Sequence, residues 1–295
     1  MNVTAAMVKE LREKTGAGIL DAKKALVEND GDMEKAMEYL RQKGIASADK
    51  KMGRIAAEGL VASAVENGVG AIVEVNCETD FVAKNADFKE FVQNVAKHIA
   101  SVKPADVDAL LASVCPQCGK TIDEVVKEKI ATIGEKITIR RFEVVEGDIA
   151  TYIHNGKIGV LLKTDCPQEE IAKDICLHIA SSAPEFVSRN EIPQSVIDEE
   201  TRIEMGKEDL AKKPENIRAK IVEGRINKLM ASKCLLEQPF VKNPDQTVEQ
   251  LCEGKCKVVS FIRYTLGEGL EKRQDNFAEE VMSLGEIESI DISIS

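Results

Sequence analysis

Residues 58–77 read EGLVASAVENGVGAIVEVNC, and residues 146–166 read EGDIATYIHNGKIGVLLKTDC. The two stretches align with a single extra residue in the second, pairing Glu58-Gly59 with Glu146-Gly147 and Cys77 with Cys166. Each holds an alternating strand, an Asn-Gly turn (Asn67-Gly68, Asn155-Gly156) and a second, more apolar strand. Asn-Gly between two strand-like runs is a strong short-range hairpin signal, because both central residues of the tight turn need positive φ. Each copy then enters an amphipathic helix ending in the same four residues, His98-Ile99-Ala100-Ser101 and His178-Ile179-Ala180-Ser181. The duplication predicts two related β-β-α subdomains and an α+β fold class.

The copies differ between strand and helix. Cys77 to His98 is 21 positions and Cys166 to His178 is 12, so the first copy holds nine additional residues, within Glu78–Phe88. A loop that departs from a shared scaffold is where function tends to be grafted. Phe81 in that loop is one of only eight Phe in a chain without Trp. It reads either as an anchor for a partner's pocket or as a lid folded back on its own core.

Outward toward the N-terminus, residues 1–54 carry 11 Lys/Arg against 9 Asp/Glu, a net of +2 in a chain of −11. Thr4 is placed to cap a helix with Val8 and Leu11 inward, ended by Gly16 and Gly18. A second helix, from about Leu20 to Asn29, buries Ala22, Ala25 and Leu26. A third is expected over Met33–Lys43, capped by Asp32, with Ala36, Met37 and Leu40 inward and Gly44 as its stop. This three-helix module is a cap on the core or a docking element, and Lys50–Arg54 reads as a basic linker.

Toward the C-terminus, residues 194–232 predict two charged helices divided at Lys212-Lys213-Pro214, with Leu210, Ile217, Ile221, Ile226 and Leu229 as apolar stripes. Such a hairpin projects from a domain or pairs with another copy. Lys257–Leu266 reads as a strand and Asp275–Leu284 as a final helix, with no packing signature in the tail, 285–295.

The 295 residues are 43% hydrophobic and 31% charged, ordinary for a folded chain and against global disorder. No stretch approaches about 18 uninterrupted apolar residues, and the N-terminus MNVTAAMVKELREK lacks an apolar signal core. No membrane association is expected. Eight sparse Cys fit a reducing, cytoplasmic setting better than a secreted disulfide framework. The net charge of −11 argues against direct nucleic-acid binding. Gly119-Lys120-Thr121 mimics the end of a phosphate-binding loop, but position 114 is Val where that motif needs Gly. Cys115-Pro-Gln-Cys118 is half of a zinc site or a redox pair, and no second CxxC completes it. His98 and His178 occupy equivalent helix positions, which points to packing, whereas His154 lies beside the second turn. No catalytic motif is found, and neither a metal nor a cofactor is expected. A chain of this size without one is expected to act by binding.

Several runs, in order, then resemble the bacterial elongation factor Ts family. They are Val8-Lys-Glu-Leu-Arg-Glu-Lys-Thr-Gly-Ala-Gly18, Asp21-Ala-Lys-Lys-Ala-Leu26, Glu74-Val-Asn-Cys-Glu-Thr-Asp-Phe-Val-Ala-Lys84, Ile133–Arg141, Val222-Glu-Gly-Arg225 and Gln238-Pro-Phe240. The resemblance implies an exchange factor acting by binding, not an enzyme. Its partner would be elongation factor Tu, GDP-bound and nucleotide-free. It implies a ubiquitin-associated-like module at 1–54, an N-subdomain at 55–141 and a C-subdomain at 142–183 and 234–268. It also implies a coiled-coil dimerisation hairpin at 184–233, open to a homodimer and a 2:2 complex, with a C-terminal helix and tail at 269–295. By similarity, Thr79, Asp80, Phe81 and Val82 disturb the partner's magnesium and nucleotide site, so that GDP leaves and GTP binds. Arg12, Ile19, Leu20 and Lys23 resemble the G-domain docking face, and His154 a contact to another domain of the partner. Ile19 and Leu20 stand where some members have Met, and Cys115–Cys118 is not a general family feature. A metal or redox protein centred on that cysteine pair, and a scaffold without exchange activity, are the competing readings.

Overall fold

The computed structural model describes residues 3–211 and 213–271, without the side chains of 45–49, 211 and 216. The expected final helix, Asp275–Leu284, lies outside the described residues.

Three helices open the chain: α1 (Ala5–Thr15), α2 (Ile19–Glu28) and α3 (Met33–Lys51). The Thr4 hydroxyl accepts the Met7 N–H at 3.3 Å and caps α1, which ends at Gly16 in the left-handed region. Leu11, Ala22, Ala25, Leu26 and Ala36 form a small core of their own, with Met37 and Leu40 packed against it. The third helix corrects the expected stop at Gly44. It runs through that residue to Lys51, so the basic stretch begins inside the helix. Gly44 serves close approach instead: a Cβ there would lie 2.9 Å from the Ala131 Cβ. A missing side chain at a helix crossing and a missing side chain at a helix end look alike in sequence.

The first half of the duplication contains β1 (Glu58–Glu66), β2 (Val69–Cys77), α4 (Asp80–Lys84), α5 (Ala86–Val102), α6 (Val107–Ala112), α7 (Ile122–Ile133) and β3 (Thr138–Glu146). The strands form one antiparallel sheet in the order β1-β2-β3. Helix α5 turns Phe88, Phe91, Val92, Val95, Ala96 and Ile99 onto that sheet, the spacing of one helical face, and buries them all. β3 pairs with β2 as far as Glu146, so the strand crosses residue 141, where the sequence placed a boundary.

The second half contains β4 (Ile149–His154), β5 (Ile158–Thr164), α8 (Glu169–Ser182), α9 (Gln194–Met205), α10 (Glu208–Ala211), α11 (Glu215–Lys233), β6 (Pro239–Phe240), β7 (Asn243–Thr247), α12 (Val248–Cys252) and β8 (Val258–Thr265). Its sheet has the order β4-β5-β8, with α8 packed on it through Ala172, Ile175, Cys176 and Ile179. Glu146 belongs to β3, so the strand expected from Glu146 starts only at Ile149.

The repeat extends to backbone detail. Asn67 and Asn155 both have φ 51°, followed by Gly68 at 74° and Gly156 at 70°. The extra residue in the second copy, Lys157, lengthens a two-residue loop to three, because Glu66 pairs with Val69 but His154 with Ile158. Both helices end on a non-glycine residue in the left-handed region, Lys103 and Ala183, whose N–H groups bond the Ile99 and Ile179 carbonyls. The two sheets stack face to face between α5 and α8, joined by Val61, Ile72, Leu161 and Tyr264. Gly70 and Gly159 are equivalent residues at this seam. A Cβ on Gly70 would lie 2.6 Å from Ile149 and 2.8 Å from Leu161, and one on Gly159 would lie 2.5 Å from Val61 and 2.9 Å from Ile72.

A buried ion cluster also crosses the seam. Glu74 is 0% exposed and accepts bonds from Arg140 Nη1 at 3.0 Å, Arg141 Nε at 2.7 Å, Asn76 Nδ2 at 3.2 Å and the Gly267 N–H at 2.8 Å. Arg141 in turn stacks 4.1 Å over the Tyr264 ring and donates to the Thr265 carbonyl. Burial alone would raise the Glu74 carboxyl. The Gly267 N–H and the two guanidinium groups outweigh it and hold the carboxyl below the ordinary range.

The helical segment after α8 is in three pieces, not two, because the chain breaks at Gly206 before α10. Leu210, Val222, Ile226 and Met230 form its core, while Ile217, expected in the stripe, is 45% exposed. Among the described residues no helix is long and apolar enough to cross a membrane.

Candidate partner-binding face

The additional residues of the first copy form the short helix α4, Asp80–Lys84, with its flanking caps, and the added first turn of α5. Thr79 caps α4 with its hydroxyl toward the Val82 N–H at 3.4 Å. Asn85 ends that turn and caps α5 through the Asp87 N–H at 2.8 Å. Two acidic residues fasten the turn from below. Glu135 accepts the N–H groups of Glu78 and Thr79 at 3.1 and 3.0 Å and the Thr79 hydroxyl at 2.6 Å. Glu78 reciprocates, accepting the Lys136 N–H at 2.6 Å and Arg54 at 3.2 Å. Lys136 itself donates to the carbonyls of Met52 and Arg54, so the linker after α3 is tied to the same base.

On this fastened turn Phe81 stands 80% exposed. The alternative in which it caps its own core is set aside, because Val82 and Ala83 pack inward in its place. Asp80 pairs with Lys84 at 2.6 Å, which holds its carboxyl below the usual range, and the charge of Lys157 adds to the effect. Lys84 Nζ lies 6.0 Å from the Phe81 ring centre. A hollow of about 410 Å³ opens between Phe81 and Val82 on one side and Lys129, Thr132 and Ile133 of α7 on the other.

Helix α7 also carries the N-terminal module. Gly16, in the α1–α2 turn, sits where a Cβ would lie 3.1 Å from Thr132, and Arg41 of α3 pairs with Glu124 of α7. A cavity of about 840 Å³ lies between the module and α7, lined by Thr15, Gly16 and Gly44 opposite Glu128 and Thr132. Thr132 therefore borders both the module cavity and the hollow beside Phe81. On the module, Ile19 is 58% and Leu20 82% exposed, with Arg12 and Lys23 also exposed. Leu20, Lys23 and Val27 follow helical spacing on one side of α2, and Val27, not singled out from the sequence, is 57% exposed.

The second hairpin turn reaches the same end of the sandwich. Its Gly156 carbonyl accepts the Val61 N–H at 2.7 Å, near the strand end from which α4 departs. His154 is exposed there, with Nδ1 3.0 Å from the Tyr152 hydroxyl. His98 and His178, by contrast, are packed within the core. His98 Nε2 lies 2.7 Å from Ser113 Oγ, while His178 bonds Gln238 and accepts the Val241 N–H. Sequence reasoning missed Glu78 and Glu135, which meet each other's neighbourhoods across more than 50 residues, Glu135 at the N–H groups of Glu78 and Thr79 and Glu78 at the Lys136 N–H.

An exposed aromatic on a rigid turn, an exposed aliphatic pair on a small module and a polar hairpin turn are the features of a protein that works through a partner's surface. The comparison with known proteins gives that class its family. Residues 78–268 match the family model described as Elongation factor TS. The chain is 48% identical over 290 residues to "Elongation factor Ts" of Thioalkalivibrio sulfidiphilus (strain HL-EbGR7), covering 96% of this chain and 98% of that protein. The chain belongs to the elongation factor Ts family, and membership implies nucleotide exchange on elongation factor Tu.

Proposed function

We propose that this chain binds elongation factor Tu–GDP, destabilises its magnesium and nucleotide site, and promotes GDP release so that GTP can bind. The observation that carries the reading is the 80% exposure of Phe81 on a turn whose base is held by Glu135. Phe81 is the wedge, Asp80 and Thr79 keep its helix in shape, and Val82 seats that helix on the core. Arg12, Ile19, Leu20 and Lys23 dock the module on the partner's nucleotide-binding domain, and His154 makes a separate contact with another of its domains. The partner's ion is the one disturbed, and this chain supplies no metal or cofactor.

The thermodynamics require no covalent chemistry. A protein that binds the nucleotide-free partner better than the nucleotide-bound one must, by reciprocity, weaken nucleotide binding by the same factor. Displacing the ion that neutralises the phosphates provides that difference, and GTP then rebinds by mass action. In this reading residues 1–54 are the docking module, 55–141, with β3 carried on to Glu146, the subdomain bearing the wedge, and the rest of 142–183 with 234–268 the second subdomain. Residues 184–233 form a projecting hairpin through which two copies, and hence a 2:2 complex, assemble. Exposed Ile203, Met205 and Ile217 support that pairing.

The test is release of fluorescent GDP from elongation factor Tu into excess unlabelled GDP, with and without this protein. Strong acceleration at substoichiometric amounts is expected. Binding without acceleration would leave a scaffold and remove the mechanism.

A further inference from the structure

Cys115-Pro116-Gln117-Cys118 has no part in the exchange reading, yet it is built as a compact unit between α6 and α7. The Cys115 N–H donates to the Lys120 carbonyl at 2.8 Å, and the Gly119 N–H to the Cys115 carbonyl at 2.9 Å. Val114 bridges to Thr121, and the Ile122 N–H reaches the Ser113 carbonyl at 3.0 Å. These bonds close a small loop with both cysteines at its tip. Cys118 is exposed, Cys115 is half-buried against the first core, and both are free thiols. Among the described residues no group of three or more His, Cys, Asp or Glu is placed to hold a metal ion. Among the described residues, the pair has no further ligands to complete a tetrahedral site.

The two sulfurs are unequal. Burial works against the Cys115 thiolate, but the N–H groups of Gln117 and Cys118 and the Cys118 thiol outweigh it, and the Cys115 thiol is held below its ordinary range. Cys118 is pushed the other way. Burial raises the remaining shifted cysteines: Cys77 and Cys176 to about 12, with Cys234, Cys252 and Cys256 also raised.

We propose that Cys115 and Cys118 form a thiol–disulfide exchange site for low-molecular-weight disulfides, with Cys115 attacking and Cys118 resolving. The Cys115 thiolate attacks one sulfur of the small disulfide. A new S–S bond forms, the old one breaks, and one thiolate leaves with the electron pair and takes a proton from solvent. Cys118, having lost its proton to solvent, then attacks the Cys115 sulfur and expels the second small thiolate. Two protein thiols are oxidised to one disulfide, and the small disulfide is reduced to two thiols. The reverse sequence restores the pair.

The experiment equilibrates the full chain with oxidised and reduced glutathione over a range of ratios, traps free thiols by alkylation under denaturing conditions, and maps peptides by mass. A Cys115–Cys118 disulfide forming before any other cysteine reacts is the expected result. Cys118→Ser should then accumulate glutathione on Cys115, while Cys115→Ser takes it up on Cys118 several-fold more slowly. Three outcomes would overturn the proposal. They are a pair still fully alkylated at every ratio, oxidation falling first on Cys166, Cys252 or Cys256, or equal rates for the two serine variants.

Discussion

The carboxylate of Glu135 grips Thr79 twice, through its backbone N–H at 3.0 Å and its hydroxyl at 2.6 Å. An acidic residue from the loop between α7 and β3 thus fixes the helical turn that presents Phe81. Glu135→Ala should lower GDP release about tenfold, because a misplaced contact group loses much of its effect. It should also cost about 1–3 kcal/mol in urea unfolding, since two N–H groups and a hydroxyl lose a charged acceptor. Unchanged exchange in this variant would mean that the turn holds itself.

Phe81→Ala separates presentation from stability. The side chain is 80% exposed, so unfolding should move by no more than about 0.5 kcal/mol. Stimulated GDP release should nevertheless slow by about tenfold or more, the loss of an anchor of about 2 kcal/mol. Stopped-flow release with the variant at the concentration that saturates wild type reads this directly. Full activity would remove the wedge.

Glu74 tests the seam. Replacing it with Ala leaves Arg140 and Arg141 without the buried carboxylate between them, and should cost about 3–5 kcal/mol in denaturant unfolding. Because the folded carboxyl is held below its ordinary range, its stabilising effect is present above the unfolded value. It is lost as pH falls through the folded one. Wild type should therefore lose stability in the acid limb more steeply than the Ala variant.

His178 titrates in a different window. It is fully buried and, through burial, less basic than an exposed histidine, while its bond to Gln238 partly opposes the shift. Below about pH 6.5 the unfolded chain takes a proton that the folded chain resists, so stability falls as pH drops through that value. His178→Gln should be less stable at neutral pH and show a shallower decline from about pH 7 to 5. An identical slope, measured by thermal unfolding in matched buffers, would locate the titration elsewhere.

The two Asn-Gly turns and the His-Ile-Ala-Ser helix ends were legible because each is a local rule, repeated. The strand Thr138–Glu146 was harder to read. Its Arg140 and Arg141 interrupt the apolar alternation, and only the fold reveals that they neutralise Glu74. Gly44 misled for a similar reason, since its partner Ala131 is 87 positions away. Within the candidate face, the additional segment and Phe81 stood out against the second copy, whereas Glu78 and Glu135 look like ordinary surface acids until their partners are seen. Ile217 has the spacing of a core residue and yet lies 45% exposed.

The crossed contacts of Gly70 and Gly159 have a consequence for how such a chain changes over time. Each glycine leaves room for aliphatic side chains of the opposite copy, so neither half can enlarge its seam without a matching concession from the other. The seam ties the sequence histories of the halves together, while the segment Glu78–Asn85, beyond the end of β2, lies outside these glycine contacts. That division lets one copy acquire a presenting turn and the other a longer hairpin on an unaltered foundation. It also makes the second copy a built-in reference state: grafting residues 78–88 between Cys166 and α8 asks whether the segment alone carries the presenting geometry to a new address.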